Sequence, residues 1–423
     1  MGMNKRDFLK GAAGASLAAS LTSGALAKKL AAPAQELAGD EAFWAEIRGH
    51  YKTANSFINL ENGFYCFQPD AVLDGFVENV RAINGEASHY MRTRLDKDVV
   101  RVRTSLARFA GCALEEIVVT RNTTESLDTV INGFDWKAGD EAVMGNQDYG
   151  SMLDMFALQA RRHGMVNRIV DIPLHPKSDV EIVDCYRRAI TERTRLIMVS
   201  HIIGGTGQVL PVAAICDMAH ARGVEVMVDG AHSFAHLDFR IPDLRCDYFG
   251  SSLHKWLSMP LGVGLLYVRR DRIAKLWPMF GDAGMADDDI RKLNHRGTHP
   301  IHTDLTLDRA IAFHEAIGSA RKMARLRYLQ NYWIGRVRDV PNIILYTPSD
   351  PERCCAIGNV GVAGIAPGDL ARTLLETFNI YTVAIKRPPV HGVRVTPQLY
   401  TSTEELDALV VALRQIATGN RAT

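Results

Sequence analysis

The chain has 423 residues, a length that suggests two or three domains rather than one small module. Hydrophobic residues make up 47% and charged residues 23%, ordinary values that exclude a disordered chain or a coiled coil. Lys+Arg 49 against Asp+Glu 48 leaves a formal net charge of +1, so no basic field is offered to nucleic acid. Seven scattered cysteines without a C-x-x-C pair give neither a disulfide framework nor a zinc ribbon.

The N-terminus runs Asn4-Lys5-Arg6-Asp7-Phe8-Leu9-Lys10, then a mild apolar stretch over 11–26, then Ala25-Leu26-Ala27. A basic head, a short apolar middle and a small-x-small end have the layout of an export signal. The stretch is too short and too rich in Ala, Gly and Ser for a membrane-spanning helix, so no integral membrane segment is expected. Its order resembles a twin-arginine signal with Lys5 in place of the first arginine, which implies export, dependence on the twin-arginine machinery and cleavage after Ala27. Without a working signal the protein stays cytoplasmic.

Residues 1–27 are therefore read as a leader, and 28–70, helix-prone over 34–55, as a segment joining a small domain. A large domain is expected over 71–304. Apolar β-branched runs at 117–120, 141–144, 168–172, 196–200, 224–229, 248–251 and 263–268 alternate there with helical patterns such as 212–222, closed by Gly223. That alternation predicts an α/β fold with a mostly parallel seven-stranded sheet flanked by helices. From 305 the texture changes: one or two helices over 305–338, short strands at 343–346, 359–363, 382–385 and 393–396, and a last helix over 402–416 opened by a Ser402/Glu405 capping box. Residues 305–423 thus read as a smaller α+β domain.

Ligands of such sheets sit beyond the carboxyl ends of the strands, and the polar clusters fall there. Gly250-Ser251-Ser252-Leu253-His254-Lys255-Trp256 places a lysine among apolar neighbours, where desolvation lowers its pKa and makes it an imine-forming nucleophile. Asp229, 26 residues upstream, ends an apolar strand and is suited to keep the ring nitrogen of a pyridine cofactor protonated. Asn122-Thr123-Thr124-Glu125 reads as a capping box whose free N–H groups and hydroxyls form an anion site. Each feature alone has an ordinary explanation as a surface lysine or a helix cap; the three in this order point to one site.

On these motifs, with Glu61-Asn62-Gly63, Gln147-Asp148-Tyr149-Gly150, Ser200-His201 and Gly392-Val393-Arg394, the chain resembles the class V aminotransferase family. That family is a branch of the fold-type-I pyridoxal phosphate enzymes, and within it the isopenicillin-N-epimerase-like group is most similar. The resemblance spans roughly residues 55–416. It implies pyridoxal 5'-phosphate held covalently by Lys255, with Asp229 on the ring nitrogen, His232 near the ring hydroxyl and Tyr149 stacked on the ring. Asn122, Thr123, Thr124, Ser252 and His254 match the phosphate-binding positions. Thr298 resembles a residue reaching the phosphate of a partner subunit, which implies a homodimer with shared sites. Arg394 matches the arginine that binds the substrate carboxylate, with Asn62 assisting and Arg92 a softer candidate for a second anionic group.

The implied activity is on an amino acid or a derivative. Once the substrate amine displaces Lys255, the lysine is free as a general base, and transamination, epimerisation and β-elimination remain open branches. Epimerisation needs a second acid across the ring, for which Tyr149 and His201 are the candidates. Cysteine desulfurases of the family carry a mobile-loop cysteine shortly before the arginine. None lies between Asn379 and Arg394, and Cys354 stands forty residues earlier, so persulfide chemistry is disfavoured while a C–S or related β-lyase stays an alternative. The spacing of His232 and His236, and of His295 and His299 with His302 three further on, raises a metal-dependent hydrolase as an alternative, but Ser233 and Arg296 stand where a zinc helix needs glutamate, and no metal is expected.

Overall fold

The computed structural model describes residues 32–53, 56–281 and 284–419; residues 1–27, which the sequence reads as a leader, lie outside them. The strands in chain order are β1 (Ile58–Asn59), β2 (Ile117–Thr120), β3 (Glu141–Gly145), β4 (Val166–Val170), β5 (Thr194–Ser200), β6 (Glu225–Asp229), β7 (Tyr248–Ser252) and β8 (Gly264–Val268). They continue with β9 (Ile343–Leu345), β10 (Gly358–Val362), β11 (Ile380–Tyr381), β12 (Val383–Arg387) and β13 (Val390–Val395).

Seven strands form the large sheet in the order β2-β8-β7-β6-β5-β3-β4. Pairing is parallel from β4 through β3, β5 and β6 to β7; only β8 runs antiparallel, against both β7 and β2. The expected mostly parallel α/β architecture is therefore present. Its consequence for function is directional: β2, β3, β5, β6 and β7 all point their carboxyl ends at one edge.

Alternate residues of the central strands feed two cores, as a period of two requires. Ile197, Val199, Val226 and Val228 join one apolar layer, and Met198 and Met227 join the other. Being covered on both faces, β2, β7 and β8 are buried throughout, which is why they read as unbroken apolar runs. The edge strand β4 is only partly covered, and its pairing runs from Val166 to Val170 rather than over 168–172. Ile172, past the strand end, is buried in the core instead of in the ladder.

The smaller antiparallel sheet has the order β12-β13-β10-β9 and packs with helices Ser319–Val337, Pro367–Phe378 and Thr403–Thr418 around Trp333, Leu374 and Leu413. The 305–338 stretch is two main helices, Leu307–Ile317 and Ser319–Val337, separated at Gly318, whose φ of 91° a glycine adopts without strain. β1 pairs in parallel with β11, and Glu61 bridges Thr396, so the N-terminal segment is stitched to the C-terminal region. It then crosses to the large sheet, where the Cys66 N–H donates to the His254 carbonyl at 3.3 Å.

Both expected helix caps form, with one correction. Ser402 and Glu405 satisfy each other's backbone N–H groups at 3.2 and 2.8 Å. Asn122 accepts from the Glu125 N–H at 2.9 Å, but the Glu125 carboxylate takes the Arg121 N–H and guanidinium instead of returning to Asn122. The second half of that box is replaced by an i,i+4 ion pair.

Candidate active site

β7 ends at Ser252, and the chain turns at once through Leu253-His254-Lys255-Trp256. Leu253 and Trp256 are fully buried and pin the turn, and the Leu253 N–H donates to Val263 at 3.0 Å. The Lys255 amine is thereby desolvated. Burial pushes its pKa down to about 8, Asp229 opposing and Arg394 adding to the depression.

The amine faces His232, with Nε2 3.4 Å from Nζ. On the other side of that ring the Trp256 indole N–H reaches Nδ1 at 3.4 Å. An indole nitrogen only donates, so Nδ1 accepts and the ring proton is assigned to Nε2, facing the lysine. Burial, then the Lys255 and Arg394 cations, hold His232 well below its usual range and keep it neutral. His236 lies beneath, stacked on Trp256 at 3.8 Å between ring centroids.

Asp229 ends β6 and accepts the Ala231 N–H at 2.9 Å. Burial raises its pKa, while the Ala231 amide and the Lys255 charge oppose that rise. Beside it stands Asp148, a member of the Gln147-Asp148-Tyr149-Gly150 motif to which the sequence assigns no role. Asp148 accepts from the Ser200 hydroxyl and the Gly145 N–H, both at 2.7 Å, and burial pushes it up to about 7, with Asp229 adding to the rise. The available signal was its place beyond β3, level with Ser200 and Asp229.

An anion cradle lies at the same edge, between β2 and β7. The Thr123 N–H donates to Ser252 Oγ at 2.8 Å, and the two hydroxyls are 2.7 Å apart. Thr123 and Thr124 open the helix Thr123–Gly133, and among the described residues the Thr124 N–H has no hydrogen-bond partner. His254 Nδ1 is buried without a partner, and burial followed by the Lys255 charge pushes that imidazole down to about 4. Uncommitted donors at a helix N-terminus are what a phosphate dianion requires.

Arg394, on β13, closes the other side. Its Nε and Nη2 donate to the two oxygens of Glu61 at 3.2 and 2.5 Å, and Nη1 donates to the Gly204 carbonyl at 3.1 Å. Asn62 is nearby but committed: its amide donates to the Thr396 carbonyl at 2.7 Å and accepts from Asn59 and from the Tyr400 hydroxyl.

Four expected residues are not drawn into this hydrogen-bonded group. Tyr149 caps the helix Gly150–His163 at the correct edge but is 58% exposed. The His201 ring packs edge-on against Phe239 at 4.9 Å, and burial pushes it down to about 4. Arg92 is exposed on the helix Ser88–Thr93, and Thr298 is exposed in the turn after Asn294. Among the described residues no group of three His, Cys, Asp or Glu side chains adopts a metal-binding arrangement.

The remaining set fits pyridoxal 5'-phosphate by its donor chemistry. Thr123, Thr124, Ser252 and His254 would hold the phosphate, Asp229 the ring nitrogen, His232 the ring oxygen and Lys255 the aldehyde carbon. Fold and site together define a pyridoxal-phosphate-dependent enzyme of fold type I.

The sequence profile of the aminotransferase class-V family matches residues 67–409, and the chain belongs to that family. It is 30% identical over 392 residues to an isopenicillin N epimerase of Streptomyces clavuligerus, covering 88% of this chain and 98% of the relative. It is 26% identical over 400 residues to a probable cysteine desulfurase of Synechocystis, covering 87% and 92%. Among solved structures, the apo cysteine desulfurase of Thermococcus onnurineus superposes with a TM-score of 0.79 at 22% identity, over 89% of this chain and 98% of that one. The cystine C-S lyase C-DES in complex with cysteine persulfide superposes with a TM-score of 0.77 at 22% identity, over 85% and 98%. These two likenesses establish the shared fold.

Proposed function

We propose that the protein is an epimerase-like enzyme that removes and returns a proton at the Cα of an amino acid or an amino-acid derivative. The observation that carries this reading is the Lys255 amine, held at about 8 and faced by a neutral His232 at 3.4 Å. When bound, pyridoxal phosphate supplies an electron sink that weakens the Cα–H bond. The chain supplies the rest. With its pKa lowered to about 8, roughly a tenth of the amine is neutral at pH 7, far more than an unperturbed lysine offers to nucleophilic attack. His232 presents an N–H toward Nζ, and Asp229 offers a buried carboxylate to a ring N–H. Tyr149, exposed beyond β3, is the acid we assign to the face opposite the lysine.

Persulfide chemistry finds no thiolate here. Cys354 and Cys355 are buried, and burial pushes Cys354 up to about 11. The segment before Arg394 is the β12–β13 hairpin, closed by Pro388-Pro389, with no cysteine in it. Relatedness to isopenicillin N epimerases of two organisms, at 30% and 28% identity, favours the epimerase-like branch. The reading extends to a homodimer in which the exposed Thr298 meets the partner's phosphate site, and to export through the twin-arginine machinery directed by Lys5-Arg6.

The test is incubation of the cofactor-loaded protein with a panel of L-amino acids in deuterated water. Deuterium at Cα with loss of chirality supports the reading; a keto acid or a released fragment without scrambling refutes it. Lys255→Ala abolishes exchange and the visible absorbance of the lysine–cofactor imine.

A further inference from the structure

In Glu61-Asn62-Gly63 the sequence assigns a role to Asn62, beside Arg394, and none to Glu61; the geometry supplies one. Asn62 fixes the segment rigidly: its N–H donates to Thr396 Oγ1 at 2.6 Å, its amide to the Thr396 carbonyl, and Tyr400 donates to it at 2.6 Å. Glu61 is thereby delivered against Arg394, and the Phe64 N–H donates to its Oε1 at 3.0 Å. The pair is nearly dry, with side-chain exposures of 5% for Glu61 and 12% for Arg394. Two glycines make room for it. A Cβ on Gly63 would stand 2.7 Å from the Arg394 Cζ, and one on Gly204 would stand 2.9 Å from His232 Nε2 and 3.8 Å from Arg394 Nη1. The guanidinium is thus adjacent to the lysine–histidine pair, and one full edge of its fork already holds a carboxylate.

We propose that Glu61 is a specificity-determining residue, an internal competitor for the Arg394 fork. An amine without a carboxylate on Cα enters with the pair closed, whereas an amino acid binds only by displacing Glu61. A second carboxylate brought to an already neutralised guanidinium meets a like charge a few ångströms away in a poorly hydrated site, where such repulsion is strong. The inference rests on the proposed Cα chemistry at Lys255 and narrows its substrate to amino-acid derivatives whose α-carboxylate is masked, as in an amide or ester.

The experiment uses the cofactor-loaded wild type, Glu61→Gln and Arg394→Gln, with folding checked by circular dichroism. Propionate binding is measured by calorimetry; alanine and ethylamine are titrated against the lysine–cofactor absorbance. Glu61→Gln is expected to tighten propionate and alanine by about tenfold or more and to leave ethylamine unchanged, and Arg394→Gln to abolish propionate binding. Unchanged or weaker carboxylate binding in Glu61→Gln overturns the proposal, since Glu61 would then orient the fork rather than compete for it. Should that variant not fold, the wild type still decides: ethylamine is expected to shift the absorbance at concentrations no higher than alanine, and a roughly tenfold preference for alanine overturns the gate. Absence of any lysine–cofactor absorbance defeats the enzymatic reading alone, because propionate calorimetry reports the fork without it.

Discussion

Lys322 offers a measurable consequence of burying an amine behind the catalytic turn. It lies on the helix Ser319–Val337, is 4% exposed, and its Nζ donates to the Trp256 carbonyl, one residue after Lys255. Burial pushes its pKa from 10.5 down to about 8. A folded pKa below the unfolded one means that the ammonium is disfavoured by folding. That penalty is present in full below pH 8 and fades as pH rises toward 10.5, where the unfolded chain still holds the proton and the folded chain has lost it. At about 1.4 kcal/mol per pH unit, the span from about 8 to 10.5 corresponds to about 3.5 kcal/mol. Lys322→Met keeps the volume and removes the titration. Losing the donor to Trp256 adds a cost, but one that does not change with pH. Urea unfolding of wild type and variant at pH 7, 8, 9 and 10 is therefore compared by the slope of their difference. The wild type is expected to gain on the variant by about 1.4 kcal/mol per unit above pH 8. Parallel curves refute the reasoning and mean that Lys322 stays charged when folded.

Other consequences are equally direct. Gly207 has φ 79°, and a Cβ there would fall 1.8 Å from the Ile357 carbonyl oxygen, so Gly207→Ala should destabilise by about 3 kcal/mol, read as a lowered melting temperature. Ser252→Ala removes the hydroxyl shared with Thr123 and should weaken pyridoxal phosphate binding about tenfold in an absorbance titration, with little change in melting. Asn62→Ala removes the side-chain bond to the Thr396 carbonyl and leaves the Tyr400 hydroxyl without its acceptor, at a cost of about 2 kcal/mol in urea unfolding; an unchanged midpoint would show that the Asn62 side chain carries no stability.

Much of the site was legible because parallel topology makes position along a strand informative. Asp229 and Ser252 end apolar runs, Lys255 follows one closely, and Thr123 opens a helix just after another. In a sheet whose strands run the same way, these places must gather at one edge. His201 shows the limit of that logic. It follows β5 directly, yet its ring goes to Phe239, because the side chain after Ser200 points to the other face of the sheet. The 168–172 run differs from the observed 166–170 for a related reason: an edge strand that is exposed at Val166 and Ile169, on opposite faces, does not display its register as an unbroken apolar block.

The amino-acid order alone determined the α/β architecture and pointed to the candidate lysine, acid and anion-cradle positions, since each is written in local pattern: burial period, cap and strand end. Only the tertiary structure decided that Glu61 grips Arg394 across 333 residues, that Asp148 stands beside Asp229, and that Trp256 sets the proton on His232. These contacts join segments remote in sequence through side-chain direction and hydrogen-bond geometry, which exist only once the N-terminal segment and β13 have been brought to the ends of the large sheet's strands.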